Sequence, residues 1–205
     1  MAALALTTCM AATAASADGA YFGIGLGYSK AKSVDSAGTN PSSELKSPMI
    51  GLTGGYRWDF ASGFAAAEVD ADVPTDGALK NTTNGNTCPT PGATGSYFCS
   101  HSATIRLRGI YGMPIANSWE LYGALGLGVM TGQVSNSPGS AVHAVNIGPT
   151  VGLGIQHDLG KGKLRFELNY DHLNTNQVTG ANAGFGVPHP TYTATTLKAS
   201  YIFGF

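Results

Sequence analysis

Charged side chains are scarce in this sequence: Asp, Glu, Lys and Arg make up 11% of its 205 residues, against about 25% in ordinary soluble domains. Long apolar runs are also missing, and none reaches the ~18–20 residues that a membrane-spanning helix needs. The formal net charge is −1, so we expect no nucleic-acid partner, because such proteins present a basic surface. These shortages argue against both an ordinary soluble domain and a helical membrane protein.

Cysteine is nearly absent as well. Cys88 and Cys99 lie in a stretch rich in Asn, Thr, Pro and Gly, where an exported chain would carry one disulfide that closes a loop. Two thiols with no histidine between them do not complete a tetrahedral zinc site. We therefore predict a Cys88–Cys99 disulfide, no metal and no cofactor.

The first 17 residues indicate export. They carry no charge and end in Ala15-Ser16-Ala17, the small-residue pattern of signal-peptidase cleavage. A complete signal peptide opens with Lys or Arg, and neither is present here. We predict an N-terminally incomplete signal peptide over residues 1–17 and a single domain over residues 18–205.

The C-terminal nine residues alternate in polarity, and this alternation is typical of a strand with one apolar face. Their apolar side chains include Tyr201, Phe203 and Phe205. This tail resembles the C-terminal signature of bacterial outer-membrane β-barrels. In that family a terminal Phe closes the barrel and is recognised by the insertion machinery, so the resemblance implies the barrel assembly machinery as a partner.

Similar alternating segments recur along the chain, separated in turn by long polar gaps and tight ones. We predict strands near residues 20–30, 47–58, 63–73, 102–113, 118–131, 143–157, 163–173 and 192–205. Each is close to the ~9–11 residues that cross a tilted bilayer, and short inner turns alternating with long outer loops are typical of membrane barrels. The sequence thus predicts an all-β fold, an eight-stranded antiparallel up-and-down transmembrane β-barrel.

Charged residues fall on one parity of the predicted strands, opposite apolar neighbours such as Leu107, Phe166 and Leu197. An Arg that faces lipid at mid-depth costs about 2–4 kcal/mol, so we place the charges inside the barrel. The predicted lumenal charge network contains Glu68, Asp70, Arg106, Arg108, Glu120, Arg165, Glu167 and Lys198.

Neighbouring strands carry opposite charges at matching positions. We hypothesise three cross-strand ion pairs: Glu68–Arg108, Asp70–Arg106 and Glu167–Lys198. The alternative is that these charges are simply solvated in the lumen, since exposed pairs contribute only ~0–1 kcal/mol.

Two further features bear on the barrel interpretation. Aromatic residues occur where interfacial belts are expected, near the tight turns and the long loops; they are Trp58, Tyr111, Trp119, Tyr170 and Tyr192.

Pro149 lies inside the sixth predicted strand, where a closed barrel needs every backbone N–H. We expect a bulge there, or a strand that starts later.

The wider sequence carries a family resemblance. The segments 54–58 (GGYRW), 63–69 (GFAAAEV) and 164–170 (LRFELNY) resemble those of small porin-family and opacity-type surface proteins, which share their barrel with the membrane domain of outer membrane protein A. The resemblance implies a location in the bacterial outer membrane, contact with its lipids and lipopolysaccharide, and a surface-antigen character.

Four functions remain open at this point. The first is structural or adhesive surface display, with a host or surface ligand bound by outer loops, above all residues 74–101. The second is a narrow small-ion channel, because eight strands leave an interior roughly filled by side chains. A soluble ligand carrier, the third, would invert the parity and place apolar side chains inside.

The fourth function is outer-membrane hydrolysis, for which we identify no catalytic residue. None of the histidines has a Ser two residues later, as an esterase barrel of the lipid A deacylase kind would require. Asp70, Asp72, Asp171 and His172 are expected at the outer rim, where protease-type barrels place their Asp and His. Adjacent Asp171 and His172 point to opposite faces of their strand, however, so we expect no enzyme.

Overall fold

The structure, a computed structural model, describes residues 18–34, 43–81, 97–137, 140–179 and 190–204. The predicted signal peptide, Cys88 and Phe205 lie outside these residues. Across these ranges, no helix is long and apolar enough to cross a membrane.

The described fold consists of strands β1 (Gly19–Val34), β2 (Ser43–Phe60), β3 (Gly63–Pro74), β4 (Lys80–Asn81), β5 (Tyr97–Ala116), β6 (Trp119–Ser137), β7 (Ser140–Asp158), β8 (Lys163–Thr179) and β9 (Thr191–Phe203). The eight long strands pair antiparallel with their neighbours, and β1 pairs with β9, which closes the sheet. The two-residue β4 pairs with the start of β2. The predicted eight-stranded up-and-down barrel is confirmed.

Three tight connections lie at one end of the barrel, which we call the turn end: residues 61–62, 117–118 and 159–162. In the last of these, the backbone N–H of Gly160 donates to Asp158 Oδ1 at 2.7 Å. Gly160 has a φ of 80°, a left-handed conformation that glycine adopts readily. At the opposite end, which we call the loop end, most strands run several residues further than the sequence predicted, as in β5, which begins at Tyr97.

The two faces of the barrel wall have opposite character. Outward side chains in the middle of the wall are apolar and exposed, such as Leu125 (66% exposed) and Leu127 (58%). Arg106 (1%) and Glu167 (2%) point inward and are buried. This distribution follows the alternation of strand side chains. A soluble carrier would show the inverse, so the parity assignment holds for a barrel that faces lipid.

The aromatic residues follow the same rule, with one exception to our prediction. Trp58, Tyr111 and Tyr170 face outward and are exposed, and Trp119 stacks on the ring of His157 with centroids 4.5 Å apart. Tyr192 is fully buried, so its predicted place in an interfacial belt is wrong. Its position in β9 has the parity of the inward Lys198, which directs the ring into the barrel.

The interior is stacked in layers. The loop-end cluster is apolar and contains Ala31, Leu45, Leu79, Met130, Val134, Ala144, Leu173, Tyr192 and Ala194. The turn-end cluster contains Tyr21, Phe64, Ala66, Ile110, Tyr122, Ala124 and Ile202. Most of the buried charged residues, among them Glu68, Asp70, Arg106 and Arg108, lie between the two clusters, in the middle of the barrel.

Pro149 lies within β7, which begins at Ser140, so a later strand start is wrong. Pro149 pairs in register with Leu127 of β6. On the other side, Gly148 and Pro149 have no register partner in β8. The missing N–H of proline therefore breaks no ladder hydrogen bond between β7 and β8. A bulge is present, but it lies earlier in the strand, between Val145 and Asn146.

The outward face can be tested by introducing a charge at two depths. Leu127→Arg places a cation at the middle of the lipid-facing band and should lower the free energy of unfolding by about 2–4 kcal/mol. Thr131→Arg, four residues closer to the loop end on the same face, should cost at most about 1 kcal/mol. Urea unfolding in phospholipid vesicles measures both, and equal costs would contradict the assigned depth.

Candidate functional site

The buried charges come from alternate, inward positions on four strands. Because Glu68 lies opposite Arg108 and Asp70 opposite Arg106 in the pairing of β3 with β5, their side chains meet inside the barrel. Five carboxylates and four cations form what we call the central network: Glu68, Asp70, Asp72, Glu167, Asp171, Arg106, Arg108, Arg165 and Lys198, all buried.

Arg106 joins three aspartates. Its Nε and Nη2 donate to the two carboxylate oxygens of Asp171 at 2.9 and 2.7 Å. Its Nη1 donates to Asp70 Oδ2 at 2.9 Å and to Asp72 Oδ2 at 2.5 Å. The two-pronged contact to Asp171 fixes the guanidinium plane, because the fork of donors matches the carboxylate geometry.

Arg108 forms a second centre one row closer to the turn end. It donates to Glu68, to Glu167 Oε1 at 2.8 Å and to Asn169 Oδ1 at 2.6 Å. Arg165 also binds the carboxylate of Glu68: its Nη1 donates to Glu68 Oε2 at 2.5 Å. Glu68 is therefore shared by two guanidinium groups.

Two tyrosines of the turn-end cluster complete this second centre. Tyr21 Oη donates to Glu68 Oε2 at 2.7 Å, and Tyr122 Oη donates to Glu167 Oε2 at 2.5 Å. The guanidinium of Arg165 lies over the Tyr122 ring, 5.0 Å from its centroid, where the ring face attracts a cation. The sequence reasoning missed both tyrosines, although Tyr122 stands on the inward parity.

The hypothesised ion pair between Glu167 and Lys198 is corrected by the structure. The two residues are register partners in β8 and β9, but Lys198 Nζ donates to Asp70, and to Asp72 Oδ1 at 3.1 Å. The long lysine stem crosses the tube to β3, while Glu167 is taken by Arg108 and Tyr122. The other two hypothesised pairs form ion pairs.

Glu120 lies apart from the central network, in a second group at the turn end. It accepts hydrogen bonds from Arg57 Nη2 at 2.7 Å and from Lys163 Nζ at 2.8 Å. Arg57 also donates to Asp59 Oδ1 at 2.7 Å and stacks on Phe64, with its Cζ 3.7 Å from the ring centroid. Arg57 was missed because its motif was treated only as a family signature.

Inward glycines make room for these large neighbours. A Cβ on Gly51 would lie 2.7 Å from Asp72 Oδ1, and one on Gly152 would lie 2.7 Å from Asn169 Oδ1. These glycines therefore accommodate interior side chains and do not open a pore.

The expected rim position of Asp70, Asp72 and Asp171 is wrong. All three are buried and held by Arg106, whereas His172 is exposed on the opposite face of β8. In the part of the chain with described positions, no group of three His, Cys, Asp or Glu residues is arranged to hold a metal ion.

A short segment, residues 75–81, folds back onto the loop end of the barrel. The backbone N–H of Leu79 donates to the carbonyl of Cys99 at 2.8 Å, and that of His101 donates to the carbonyl of Gly77 at 2.8 Å. Leu79 is fully buried within the loop-end cluster. An apolar side chain thus covers the interior on this side, a feature with no periodic signal in the sequence.

The remaining predicted residues are only partly described. Cys99 is buried on β5, and its bond to Cys88 stays a prediction because Cys88 lies outside the described residues. Tyr201 and Phe203 lie half-buried on the outward face of β9, with ring centroids 4.6 Å apart. Phe203 also stacks on Phe22 of β1 at 6.0 Å, across the seam that closes the barrel.

The sequence matches the family model of the outer membrane protein beta-barrel domain over residues 1–203. No curated protein matches it. Among solved structures it is similar to neisserial surface protein A (NspA), at 16% identity over 90% of this chain and 97% of that one, with a TM-score of 0.52.

Two other barrels are also similar. Ail, the attachment invasion locus protein of Yersinia pestis, was solved with the heparin analogue sucrose octasulfate and is 13% identical over 90% of this chain and 99% of its own, with a TM-score of 0.47. The N-terminal β-barrel domain of Pseudomonas aeruginosa OprF is 11% identical over 88% and 97%, with a TM-score of 0.43. At such identities, the similarity to NspA supports the fold alone.

The central network predicts a strong effect from its hub. Arg106→Met removes the cation that holds both oxygens of Asp171 and should lower the free energy of unfolding by about 3–5 kcal/mol. Lys161→Met, which removes an exposed cation from the turn between β7 and β8, should change it by at most about 0.5 kcal/mol. Urea unfolding in vesicles gives both values.

A further substitution separates lost pairing from lost packing. Adding Asp171→Asn to Arg106→Met should restore part of the stability, because the unpaired buried carboxylate is then gone. Full additivity of the two losses would show that the two side chains are not coupled.

Proposed function

Since the chain belongs to the outer membrane protein β-barrel domain family and resides in the bacterial outer membrane, we propose that it is a structural and surface-display protein. In this proposal the loop end faces the outside, as long loops do in such barrels, and makes adhesin-like contacts. We assign no catalytic residue.

The filled interior is the observation that carries the proposal. The buried central network lies between two apolar clusters, and Leu79 covers the loop end. A packed and ion-paired interior makes a stiff frame, and loops mounted on stiff frames are where binding residues concentrate. The same filling argues against the alternative, a narrow ion channel.

The barrel wall also continues past its apolar band. At the loop end, outward positions become polar or charged on strands whose inward neighbours are still buried; examples are Lys30, Lys32, Thr131, His143, His172 and Asn174. We call this region the polar collar. It would raise the loops above the lipid surface, as a display protein requires.

Conductance distinguishes the two leading functions. Wild-type protein in planar bilayers should show no sizeable single-channel currents, because ion pairs obstruct the tube. Arg108→Ala combined with Leu79→Ala should raise conductance by removing part of the central network and its cover. Large, stable currents from the wild type would overturn the display proposal in favour of the channel.

Loop replacement tests display directly. Residues 35–42, 82–96, 138–139 and 180–189 would each be replaced by Gly/Ser sequences of equal length, so that the four variants serve as controls for one another. Binding of bacteria that carry each variant to host cells and matrix proteins would be counted. We expect the 82–96 variant to lose most binding, since this loop is predicted to carry the disulfide. Unchanged binding with all four segments replaced would contradict the proposal.

A further inference from the structure

Two lysines face each other directly on the outer surface of the polar collar. Lys30 of β1 is the register partner of Lys46 of β2, and both are exposed. One row further toward the loop end, Lys32 pairs with Glu44, which pairs in turn with Lys80 of β4. We call Lys30, Lys32, Lys46 and Lys80 the lysine patch.

The lysine patch contains all of the cationic side chains on the outer face near the loop end of the described barrel. The other seven of the eleven cationic residues lie inside the barrel or at the turn end: Arg57, Arg106, Arg108, Lys161, Lys163, Arg165 and Lys198. In the described collar, the opposite side of the barrel carries neutral groups such as Thr131 and Gln133. Positive charge is therefore concentrated on three adjoining strands.

This arrangement is electrostatically unfavourable by itself. Like charges that lie directly opposite on paired strands destabilise a sheet. Within the described residues, one carboxylate forms an ion pair with the patch: Glu44 lies 3.9 Å from Lys46 Nζ. Lys32 and Lys80 flank the same Glu44, so three of the four lysines adjoin one carboxylate, while Lys30 lies opposite Lys46. The patch therefore favours an external anion.

The surroundings indicate what kind of anion fits. Just below the patch, on the same outward face, lie Tyr28 (51% exposed) and Ile50 (54%), at the edge of the apolar band. Beside Lys30 in the same row lie Thr195 of β9 and then Tyr170 of β8. A ligand at this level meets cations and hydroxyl groups at its head and hydrocarbon-facing side chains below.

We propose that the lysine patch binds the phosphate groups of a phosphorylated glycolipid of the outer leaflet, the lipid A part of lipopolysaccharide. Its acyl chains lie along the apolar face of β1 and β2. A soluble sulfated glycan offers similar charge, but the patch faces sideways from the barrel wall and is continuous with the lipid-facing band. This proposal rests on the outward orientation of the loop end in the proposed function, but it does not depend on what the loops bind.

The test titrates the purified full chain, in uncharged detergent micelles, with fluorescently labelled lipid A. Each lysine near an anionic lipid surface is worth about 1 kcal/mol, so K30Q and K46Q should each weaken binding about fivefold and the double variant about thirtyfold. E44Q should strengthen binding about fivefold, because it removes the competing carboxylate. K161Q, which removes an exposed lysine at the turn end, is the matched control and should leave the affinity for lipid A unchanged.

Competition identifies the source of the anion. Lipid A without phosphates should compete poorly, and neither inorganic phosphate nor a sulfated oligosaccharide should displace the labelled lipid at equal concentration. The proposal would be overturned if K161Q and K46Q lost the same affinity for lipid A, or if lipid A without phosphates bound as well as lipid A with them. Displacement of the labelled lipid by either soluble anion would overturn it too. Heat-dependent gel migration verifies that each variant is folded.

A stability measurement supplies a second, independent readout. In vesicles of uncharged lipid, K30Q/K46Q should be at least as stable as the wild type because the opposed charges are gone. In vesicles that contain lipopolysaccharide, the wild type should gain more stability than the variant, since a ligand stabilises the state that binds it. Equal gains for both would contradict the assigned site.

Discussion

The ion pairs of Arg106 and Arg108 inside a lipid-facing cylinder are the interaction on which the rest of the structure depends. Arg106 holds Asp70, Asp72 and Asp171, and Arg108 holds Glu68. Buried charges are tolerated only when paired and hydrogen-bonded, so every strand that contributes one is fixed in register. A slip of one residue would turn those charges toward hydrocarbon.

The same constraint connects the fold with the proposed role. In the described residues the tube is filled by its own side chains, which directs the proposed role to the ends of the barrel and to its wall. The loop end offers the connections, and the polar collar carries them beyond the apolar band. On the wall, the lysine patch is the place where positive charge collects outside the barrel.

Much of this architecture follows from the sequence, because strand alternation is a local property. The outward Leu125 and the inward Arg106 are assigned by parity alone, and so are the pairs across β3 and β5. Contacts across the tube are different, because parity tells whether a side chain points inward but not which residue on a distant strand it contacts. Lys198 binds Asp70 and Asp72, and Leu79 packs into the loop-end cluster. Both contacts depend on three-dimensional distances between segments that are far apart in sequence.

The central claim is that hydrocarbon surrounds the wall while the charged interior is sealed. Nuclear Overhauser contacts in lipid nanodiscs test it most directly. The account predicts transfer from lipid acyl chains to the methyl groups of Leu125, Leu127 and Leu168, and none to the side chains of Arg106 and Glu167. Contacts of those leucine methyl groups with water, or of Arg106 with acyl chains, would contradict it.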